Sequence, residues 1–279
     1  FKNLKDKKIP LILLNARITK KTFNRWSKIN FFSKLIFGMI TVAYPQNLET
    51  KYFLKKIKTK KINRIGNLKF AENPEENFTI KNKKLKSELN KNKIWVASST
   101  HKNEEIFCAN AHKELKKKNR NLITIIIPRH VHRANEIALE MKKINLNVAY
   151  HSSKIQTLKN IDIYIVDTFG ETKLFHKISS TVFLGGSIIK RGGQNPLEAA
   201  RLGSKILHGP NTDNFKDVYK HLKLLNISKE INTPLQLASS IVFKKNKNSG
   251  KKIKKIGQKI LNKTINELDN LINNEFKKT

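Results

Sequence analysis

The segment TVFLGGSIIKRGGQNPLEAARLGSKILHG, residues 181–209, decides the fold class of this chain. It opens on an apolar strand pattern, runs through two glycine pairs into a helical pattern at residues 196–202, and returns to an apolar strand. Two apolar strands joined through a helix are typical of a βαβ unit, whose strands are parallel. The segment therefore predicts an α/β fold with a glycine-rich loop at the carboxyl end of a strand.

The same alternation of strand and helix patterns extends from residue 94 to about residue 245. Regular alternation indicates βαβ units around a parallel sheet, and right-handed crossovers make that sheet doubly wound. Ligands are then expected at the carboxyl ends of the strands. The predicted strands cover residues 94–98, 122–128, 147–151, 163–168, 181–186 and 205–209, and the predicted helices cover residues 104–117, 134–143, 172–178, 196–202 and 214–225.

The chain before residue 94 has weaker patterns. Short apolar runs at residues 9–15 and 41–44 predict two strands, and residues 30–40 and 46–57 predict helices. Residues 66–93 lose apolar periodicity and gather Asn, Glu and Lys, which is typical of a linker. We therefore divide the chain into a first region at residues 1–75, a linker at 76–93, a doubly wound domain at 94–245 and a basic C-terminal helix at 246–279.

Composition narrows the range of functions. The 279 residues carry a formal net charge of +36, which by itself suggests a nucleic-acid partner. However, only 8 of the 57 Lys and Arg residues are Arg, and Lys is spread along the whole chain. We interpret most of this charge as solvated surface that attracts anionic membranes, not as a nucleic-acid interface. The single Cys excludes an internal disulfide, and no apolar run reaches the roughly 20 residues of a membrane-spanning helix.

The loop Gly185–Glu198 is the best candidate for binding an anion. Asn195 is a good N-cap, Pro196 suits the first helical position, and Glu198 stands where a capping box has its acid. A glycine-rich loop that leads into a helix is expected to leave backbone N–H groups free for a phosphate. Three further segments follow predicted strands and are expected at the same sheet edge, namely Ser98–His101, Pro128–His130 and Asp167–Glu171.

Each candidate residue also has a purely structural interpretation. Glu198 either caps its helix or binds ribose hydroxyls, and Arg129 pairs either with a surface carboxylate or with a ligand phosphate. His130 and His132 have a spacing that suits a metal, but the sequence offers no third ligand. Cys108 lies in a predicted helix without a neighbouring base, which is more typical of a core residue than of a nucleophile. No G-x-G-x-x-G follows the first strand of the doubly wound domain, so a nicotinamide dinucleotide is not expected.

Seven segments together resemble the 3-deoxy-D-manno-octulosonic acid (Kdo) transferases of lipopolysaccharide synthesis. The resemblance covers nearly the whole chain, and the long GGS…RGGQNPLE block is its most specific part. The segments are NARI (15–18), GNLKF (66–70), SSTH (98–101), IIIPRHVHR (125–133), DTFGE (167–171), FLGGSIIKRGGQNPLEAA (183–200) and GPNTDNF (209–215).

The resemblance implies a GT-B glycosyltransferase with two Rossmann-like doubly wound domains, the N-terminal one incomplete in this chain. It implies CMP-Kdo as the donor, a lipid A precursor (lipid IVA) as the acceptor, and work at the cytoplasmic face of the bacterial inner membrane. Transfer would invert the anomeric carbon and use no metal and no cofactor. The implied contacts of the donor nucleotide are Pro128, Arg129, Phe169, Gly170, Glu171, Asn195, Pro196, Leu197 and Glu198, and further expected donor contacts are Ser99, Thr100, Lys190 and Arg191.

Some positions depart from the family pattern. Gln194 and Asn211 stand where the family usually has His, so a role that needs an imidazolium is not expected there. Phe169 stands where Met is common. The resemblance places the general-base Glu before Phe1, so we expect no catalytic residue within this chain and no activity from the chain alone.

Two other functions remain open from the sequence. One is a different GT-B glycosyltransferase or a sugar-nucleotide epimerase with a UDP-linked donor, which a comparison of CMP with UDP binding separates. The other is a basic nucleic-acid-binding protein, which requires a steep salt dependence and aromatic stacking platforms.

Overall fold

The computed structural model describes residues 1–7, 9–72, 80, 82–153 and 157–276. The chain forms two compact units, one from the residues up to 73 together with those from 254 onward, and one from residues 74–253. Residues 76–79 and 81 of the expected linker lie outside the described residues. The domain boundaries that the sequence suggests stay a prediction.

The first unit contains a two-stranded parallel sheet. Strand β1 (Ile12–Ala16) pairs with β2 (Val42–Pro45), so the strand expected at residues 9–15 begins three residues later. Ala43, Phe53 and Leu54 belong to the core of this unit. Its helices before residue 73 are α1 (Lys2–Asp6), α2 (Lys20–Lys28), α3 (Asn30–Gly38) and α4 (Leu48–Lys56).

NARI and GNLKF, the two family segments in this unit, are joined by a hydrogen bond. The side-chain oxygen of Asn15 accepts from the backbone N–H of Leu68 at 3.1 Å. Asn15 also has a φ of 48°, a left-handed conformation that Asn tolerates better than most residues. An Asn therefore suits this position twice, through its backbone and through its side-chain oxygen.

The second unit is a doubly wound α/β domain. Its strands are β3 (Lys93–Thr100), β4 (Leu122–Pro128), β5 (Val148–Tyr150), β6 (Ile163–Ile165), β7 (Thr181–Leu184), β8 (Lys205–His208) and β9 (Ser228–Glu230). Its helices before residue 247 are α5 (Lys83–Asn90), α6 (Glu104–Lys116), α7 (Ala134–Lys143), α8 (Thr172–Ile178), α9 (Leu197–Arg201), α10 (Lys216–Leu224) and α11 (Pro234–Ser240). All strand pairs are parallel, in the order β5-β6-β4-β3-β7-β8-β9. The prediction of a doubly wound parallel sheet is confirmed.

The central strands are apolar on both faces. Every residue of β4 is buried, and the side chains of Trp95, Ile125 and Phe183 are fully enclosed. Strands of a parallel sheet lie between two layers of helices, so they lose the alternation that a half-exposed strand shows. This explains why apolar runs predicted these strands well.

Three elements of the second unit are absent from the sequence-based prediction. Strand β9 has two exposed residues among its three, so it carries no apolar signal. Helix α11 begins with Pro234 and is capped by Thr233, whose hydroxyl accepts from the backbone N–H of Gln236 at 3.1 Å. Helix α5 occupies part of the expected linker and buries Leu85 and Leu89, two residues four apart on one helix face.

Helix α12 (Lys247–Phe276) is the basic C-terminal helix that the sequence predicts. Its residues from 254 onward belong to the first unit, where Glu267 accepts hydrogen bonds from the Tyr44 hydroxyl at 3.2 Å and the Asn63 amide at 3.3 Å. A Cβ at Gly257 would lie 2.0 Å from the carbonyl oxygen of Phe70, so only glycine fits this contact. Among the described helices, none combines the length and the apolar character needed to cross a bilayer.

Candidate functional site

The strand order of the second unit reverses between β3 and β7. In a doubly wound sheet such a reversal opens a crevice at the carboxyl ends of the two strands, where ligands bind. Strand β3 ends at Thr100 and β7 at Leu184, so Ser98–His101 and the glycine-rich loop border this point. Because all the strands are parallel, Pro128–His130 and Asp167–Glu171 follow strands at the same edge.

The ends of β3, β4 and β7 are joined through backbone hydrogen bonds. The N–H of Gly185 donates to Ser98 O, and the N–H of Arg129 donates to Thr100 O, both at 2.9 Å. A Cβ at Gly185 would lie 2.4 Å from Ser99 O, so the close approach of the two strand ends requires glycine. Thr100 is fully buried, and Ser99 has a left-handed φ of 56°. Their roles as donor contacts stay a prediction.

Three amides of the loop are not free, so the prediction of free backbone N–H groups is wrong for Gly186, Ser187 and Ile188. Glu104, the first residue of α6, is fully buried. Its Oε2 accepts from the N–H of His101 at 3.0 Å and of Gly186 at 2.7 Å, and its Oε1 accepts from Ser187 at 3.0 Å and Ile188 at 2.9 Å. The glycine-rich loop thus binds an anion of its own chain.

Two asparagines hold the same loop by its carbonyl groups. The Asn211 amide donates to Ser187 O at 3.1 Å and to Ile188 O at 3.0 Å, and the Asn214 amide donates to Arg191 O at 3.1 Å. A primary amide carries two N–H donors, whereas a neutral imidazole carries one. Asn211, which replaces the usual family His, therefore has a structural role of its own.

Basic side chains gather around the loop at this edge. The His101 and His130 rings lie 6.2 Å apart, and His130 stacks on His132 at 5.6 Å, each distance joining ring centroids. A Cβ at Gly186 would lie 3.3 Å from Cε1 of His101 and 3.4 Å from Cβ of Arg191, so both residues lie beside Gly186. Burial lowers the pKa of His101. Arg191 therefore brings a positive charge to this edge that suits an anionic ligand, whereas the lowered pKa of His101 favours a neutral ring that can only hydrogen-bond.

Helix α9 begins at Leu197 with Pro196 as its N-cap and without a side-chain cap, so the predicted capping box of Asn195 and Glu198 is wrong. The Asn195 oxygen accepts from the N–H of Leu197 at 3.2 Å. Oε1 of Glu198 lies instead 3.1 Å from Nδ1 of His176 on α8. Burial acts to raise the pKa of Glu198, but His176, Lys173 and Arg201 together lower it below its usual range. This leaves a carboxylate at the start of α9 that also faces α8.

The DTFGE segment leads into α8 at the same edge. The Phe169 side chain is 83% exposed, and Gly170 has a φ of +86° with open space where a Cβ would stand. Oε1 of Glu171 lies 3.9 Å from Nε2 of His151, whose Nδ1 is hydrogen-bonded to the Tyr164 hydroxyl at 2.9 Å. Phe169 and Gly170 are therefore free to meet a ligand, while Glu171 is partly held by His151.

The structure bears on two other candidate roles, a metal site and a cysteine nucleophile. In the part of the chain that the structure describes, no three His, Cys, Asp or Glu side chains have the arrangement of a metal site. Cys108 is buried within α6, and burial strongly raises the pKa of its thiol. Since the thiolate is the nucleophile, this supports a core role for Cys108.

Sequence reasoning missed the residues that hold the candidate site residues in place. Glu104 contacts the loop across a sequence distance of 82 residues, and His176 on α8 contacts Glu198 on α9. The only local signal was a pair of acids in the first turn of α6, which is a common helix start.

Comparison with known proteins identifies one family. The model of the 3-deoxy-D-manno-octulosonic-acid transferase (kdotransferase) family matches residues 1–72. A 3-deoxy-D-manno-octulosonic acid transferase of Haemophilus influenzae is 29% identical over 81% of this chain and 53% of the relative. One of Rickettsia felis is 34% identical over 75% of this chain and 45% of the relative. The chain spans about half the length of these curated relatives.

A solved structure shows the same fold. The C-terminal CMP-Kdo binding domain of WaaA from Acinetobacter baumannii superposes with a TM-score of 0.52 and 24% identity, over 62% of this chain and 91% of that domain. The family match lies in the first unit, whereas strands β3–β9, which form the doubly wound sheet, lie in the second. This chain is therefore similar to the Kdo transferases over most of its length, and it has a fold of the GT-B type.

Proposed function

We propose that the protein transfers Kdo from CMP-Kdo to a lipid A precursor, lipid IVA, and that the second unit binds the donor. The observation that carries this proposal is the common placement of SSTH, PRH, DTFGE and GGSIIKRGGQNPLE at the carboxyl edge of one parallel sheet. The names of the curated relatives and of the CMP-Kdo binding domain support the same donor and reaction.

The donor phosphate is assigned to basic side chains at this edge. Cleavage of the bond between the Kdo anomeric carbon and the CMP phosphate builds negative charge on a leaving group that needs no proton. A fixed positive field stabilises that charge. Arg129, Lys190 and Arg191 are exposed, and none of the three forms an ion pair with a residue in the described ranges. Their charges therefore remain available to a phosphate, which a guanidinium binds in bidentate fashion.

The cytidine and ribose are assigned to the segments that precede α8 and α9. The Glu198 carboxylate accepts hydrogen bonds from the ribose hydroxyls, and Asn195–Leu197 present the start of α9. The exposed ring of Phe169 supplies an apolar surface. Gly170 and Glu171 complete this side, and Pro128 ends β4 beside it. Ser99 and Thr100 border the crevice between these segments and the loop.

Acceptor activation requires a base. The attacking hydroxyl of lipid IVA loses its proton as the new bond forms, so a carboxylate on the acceptor side is required. One direct displacement with one base inverts the anomeric carbon. We assign this step to the Glu that the family resemblance implies, and we assign neither a metal nor a cofactor to the reaction.

The acceptor is a lipid, and helices α2 and α3 offer a surface for its membrane. Phe31 is 78% and Phe32 60% exposed on α3, and Leu35 is 47% exposed on the same helix. Helix α2 carries Arg25 and Lys28 in its last turn. Exposed aromatic rings next to basic side chains are typical of helices that lie in the interface of an anionic membrane. This supports association with the cytoplasmic face of the inner membrane.

A nucleotide titration tests the donor assignment. Calorimetry with CMP and UDP on the same protein should show binding of CMP and at least about tenfold weaker binding of UDP, because the pyrimidine edge and the single phosphate must both fit. Preference for UDP would favour a different GT-B glycosyltransferase or an epimerase. Transfer from CMP-Kdo to lipid IVA by the full-length protein, followed by mass spectrometry of the lipid product, tests the reaction itself.

A further inference from the structure

The glycine-rich loop owes its shape to one buried acid. Glu104 accepts hydrogen bonds from four backbone N–H groups at 2.7–3.0 Å, three of them in the loop and one at the end of β3. Its side chain has no exposed surface. Burying a carboxylate is costly unless hydrogen bonds replace its water, and the four N–H groups replace that water here.

The contacts of Glu104 all lie at the switch point. The N–H groups of Gly186, Ser187 and Ile188 follow β7, and the N–H of His101 follows β3. One side chain therefore spans the crevice where the two halves of the sheet separate. Its neighbour Glu105 is buried to the same extent but pairs with Arg133 at 2.8 Å, so the two adjacent acids have separate partners.

The loop carries its two cationic side chains shortly after these amides. Lys190 and Arg191 follow Ile188 within three residues, and the carbonyl of Arg191 is held by the Asn214 amide at 3.1 Å. The loop is thus held at its start by Glu104 and at its end by Asn214. Side chains on a loop that is held at both ends keep a defined place at the crevice.

We propose that Glu104 is a positioning residue, which fixes residues 186–188 of the loop so that Lys190 and Arg191 face the phosphate of the donor. This inference rests on the proposed donor site. The amides of Gly186, Ser187 and Ile188 are occupied by Glu104 and cannot hold the phosphate, so we assign the phosphate to these side-chain cations. Glu104 itself does not touch the donor.

Substitutions at two equally buried acids distinguish a role of Glu104 in positioning the loop from a role in folding. Glu104→Gln keeps the shape of the side chain but replaces one acceptor oxygen with an NH₂ group, which opposes loop N–H donors. Glu105→Gln makes the same chemical change one residue further along α6 and leaves the loop amides untouched. Both variants are compared with the wild-type chain by thermal unfolding, by hydrogen exchange with mass spectrometry, and by calorimetric binding of CMP and of cytidine.

We expect faster hydrogen exchange in peptides that cover residues 186–188 of Glu104→Gln and unchanged exchange there in Glu105→Gln. We also expect CMP to bind about 10- to 100-fold more weakly to Glu104→Gln, since small displacements of positioned groups have effects of this size. Cytidine lacks the phosphate, so its affinity should be the same in all three proteins. A merely structural role for Glu104 would lower cytidine and CMP affinity together.

Several results would overturn the proposal. Unchanged loop exchange in folded Glu104→Gln would show that Glu104 does not hold the loop, and faster exchange with unchanged CMP affinity would show that the loop does not position the phosphate cations. If Glu104→Gln does not fold, the wild-type amides of residues 186–188 are measured directly by NMR. They should exchange as slowly as strand amides, and rapid exchange contradicts the proposal. If the wild-type chain binds no CMP, the donor assignment fails, while loop exchange still decides whether Glu104 holds the loop.

Discussion

Glu198 has a structural contact in addition to the ribose contact that we propose for it. Oε1 lies 3.1 Å from the His176 ring, and the side chain keeps 29% of its surface exposed. Burial acts to raise the pKa of Glu198, but His176 holds it below its usual range. A carboxyl with a lowered folded-state pKa stabilises the fold above its unfolded pKa, and that stabilisation is lost as the pH falls through the folded value.

We therefore expect Glu198→Gln to be less stable than the wild type at pH 7 by about 1 kcal/mol, because it loses a charge-assisted contact. Toward acid pH the wild-type Glu198 becomes protonated, so the difference in melting temperature should shrink. Thermal unfolding followed from about pH 7 to about pH 3 checks this sign. Glu49→Gln, at an exposed acid in the first turn of α4, is the matched control and should show no such trend. A difference that grows toward acid pH would contradict the assignment.

The two hydrogen bonds that the Asn211 amide donates to the loop can be tested by substitution. Asn211→Asp removes both N–H donors and sets a carboxylate against the carbonyls of Ser187 and Ile188. We expect a loss of about 1–3 kcal/mol in the free energy of unfolding, measured by denaturant titration. Asn211→His restores one donor and the usual family residue, so it should lose less. An Asp variant as stable as the wild type would show that these two bonds do not hold the loop.

The sequence predicted candidate residues at one sheet edge but not the partners that hold them. Strand ends and a glycine-rich loop are local patterns, so candidates such as Arg129 and Asn195 were placed at this edge from the sequence, and their contact with the donor stays a prediction. The bond between Glu104 and Gly186 joins positions 82 residues apart, and no local pattern announces it. The expectation of free amides failed at residues 186–188 for this reason, since the acid that accepts their hydrogen bonds lies on another element.

At the scale of elements, apolar runs and helix periodicity located most of the second unit. Helix α7 at Ala134–Lys143 and strand β4 at Leu122–Pro128 coincide with the predicted ranges. Strand β9 has only three residues and lies at the sheet edge, where one neighbour suffices and an apolar run is not required. Its existence depends on pairing with β8, which the sequence does not encode locally.

The exposed aromatic rings of helix α3 can be tested for membrane binding by mutation. We expect the double variant Phe31→Ser, Phe32→Ser to bind vesicles that contain phosphatidylglycerol about 10- to 100-fold more weakly, because two exposed aromatic rings no longer enter the interface. Cosedimentation with such vesicles, at fixed ionic strength, measures the effect. Leu224→Ser, at a residue of α10 that is 75% exposed, is the control and should bind like the wild type. Equal binding of the double variant would leave the basic charge as the cause of membrane attraction.

At the scale of the whole molecule, the charge of +36 was the most conspicuous feature and one of the least specific. It describes a Lys-rich surface, whereas the proposed donor site uses a few cations at one sheet edge. Composition also does not predict which unit helix α12 packs against. Its basic sequence predicted a helix, but the sequence does not reveal that its later part belongs to the first unit, where Glu267 bonds to Tyr44 and Asn63 and Gly257 contacts Phe70.

The donor site makes a prediction for the whole sheet, because its segments are dispersed in sequence and share one edge. Saturating CMP should slow hydrogen exchange together in residues 98–101, 128–133, 167–171 and 185–198, since a bound ligand stabilises the state that binds it. The amino edge of the same sheet, at Lys205 and Ile227, is the internal control and should exchange as before. UDP at the same concentration should protect these segments less than CMP does. Protection by CMP of only one segment, or of the amino edge instead, would show that the four motifs do not form a common site.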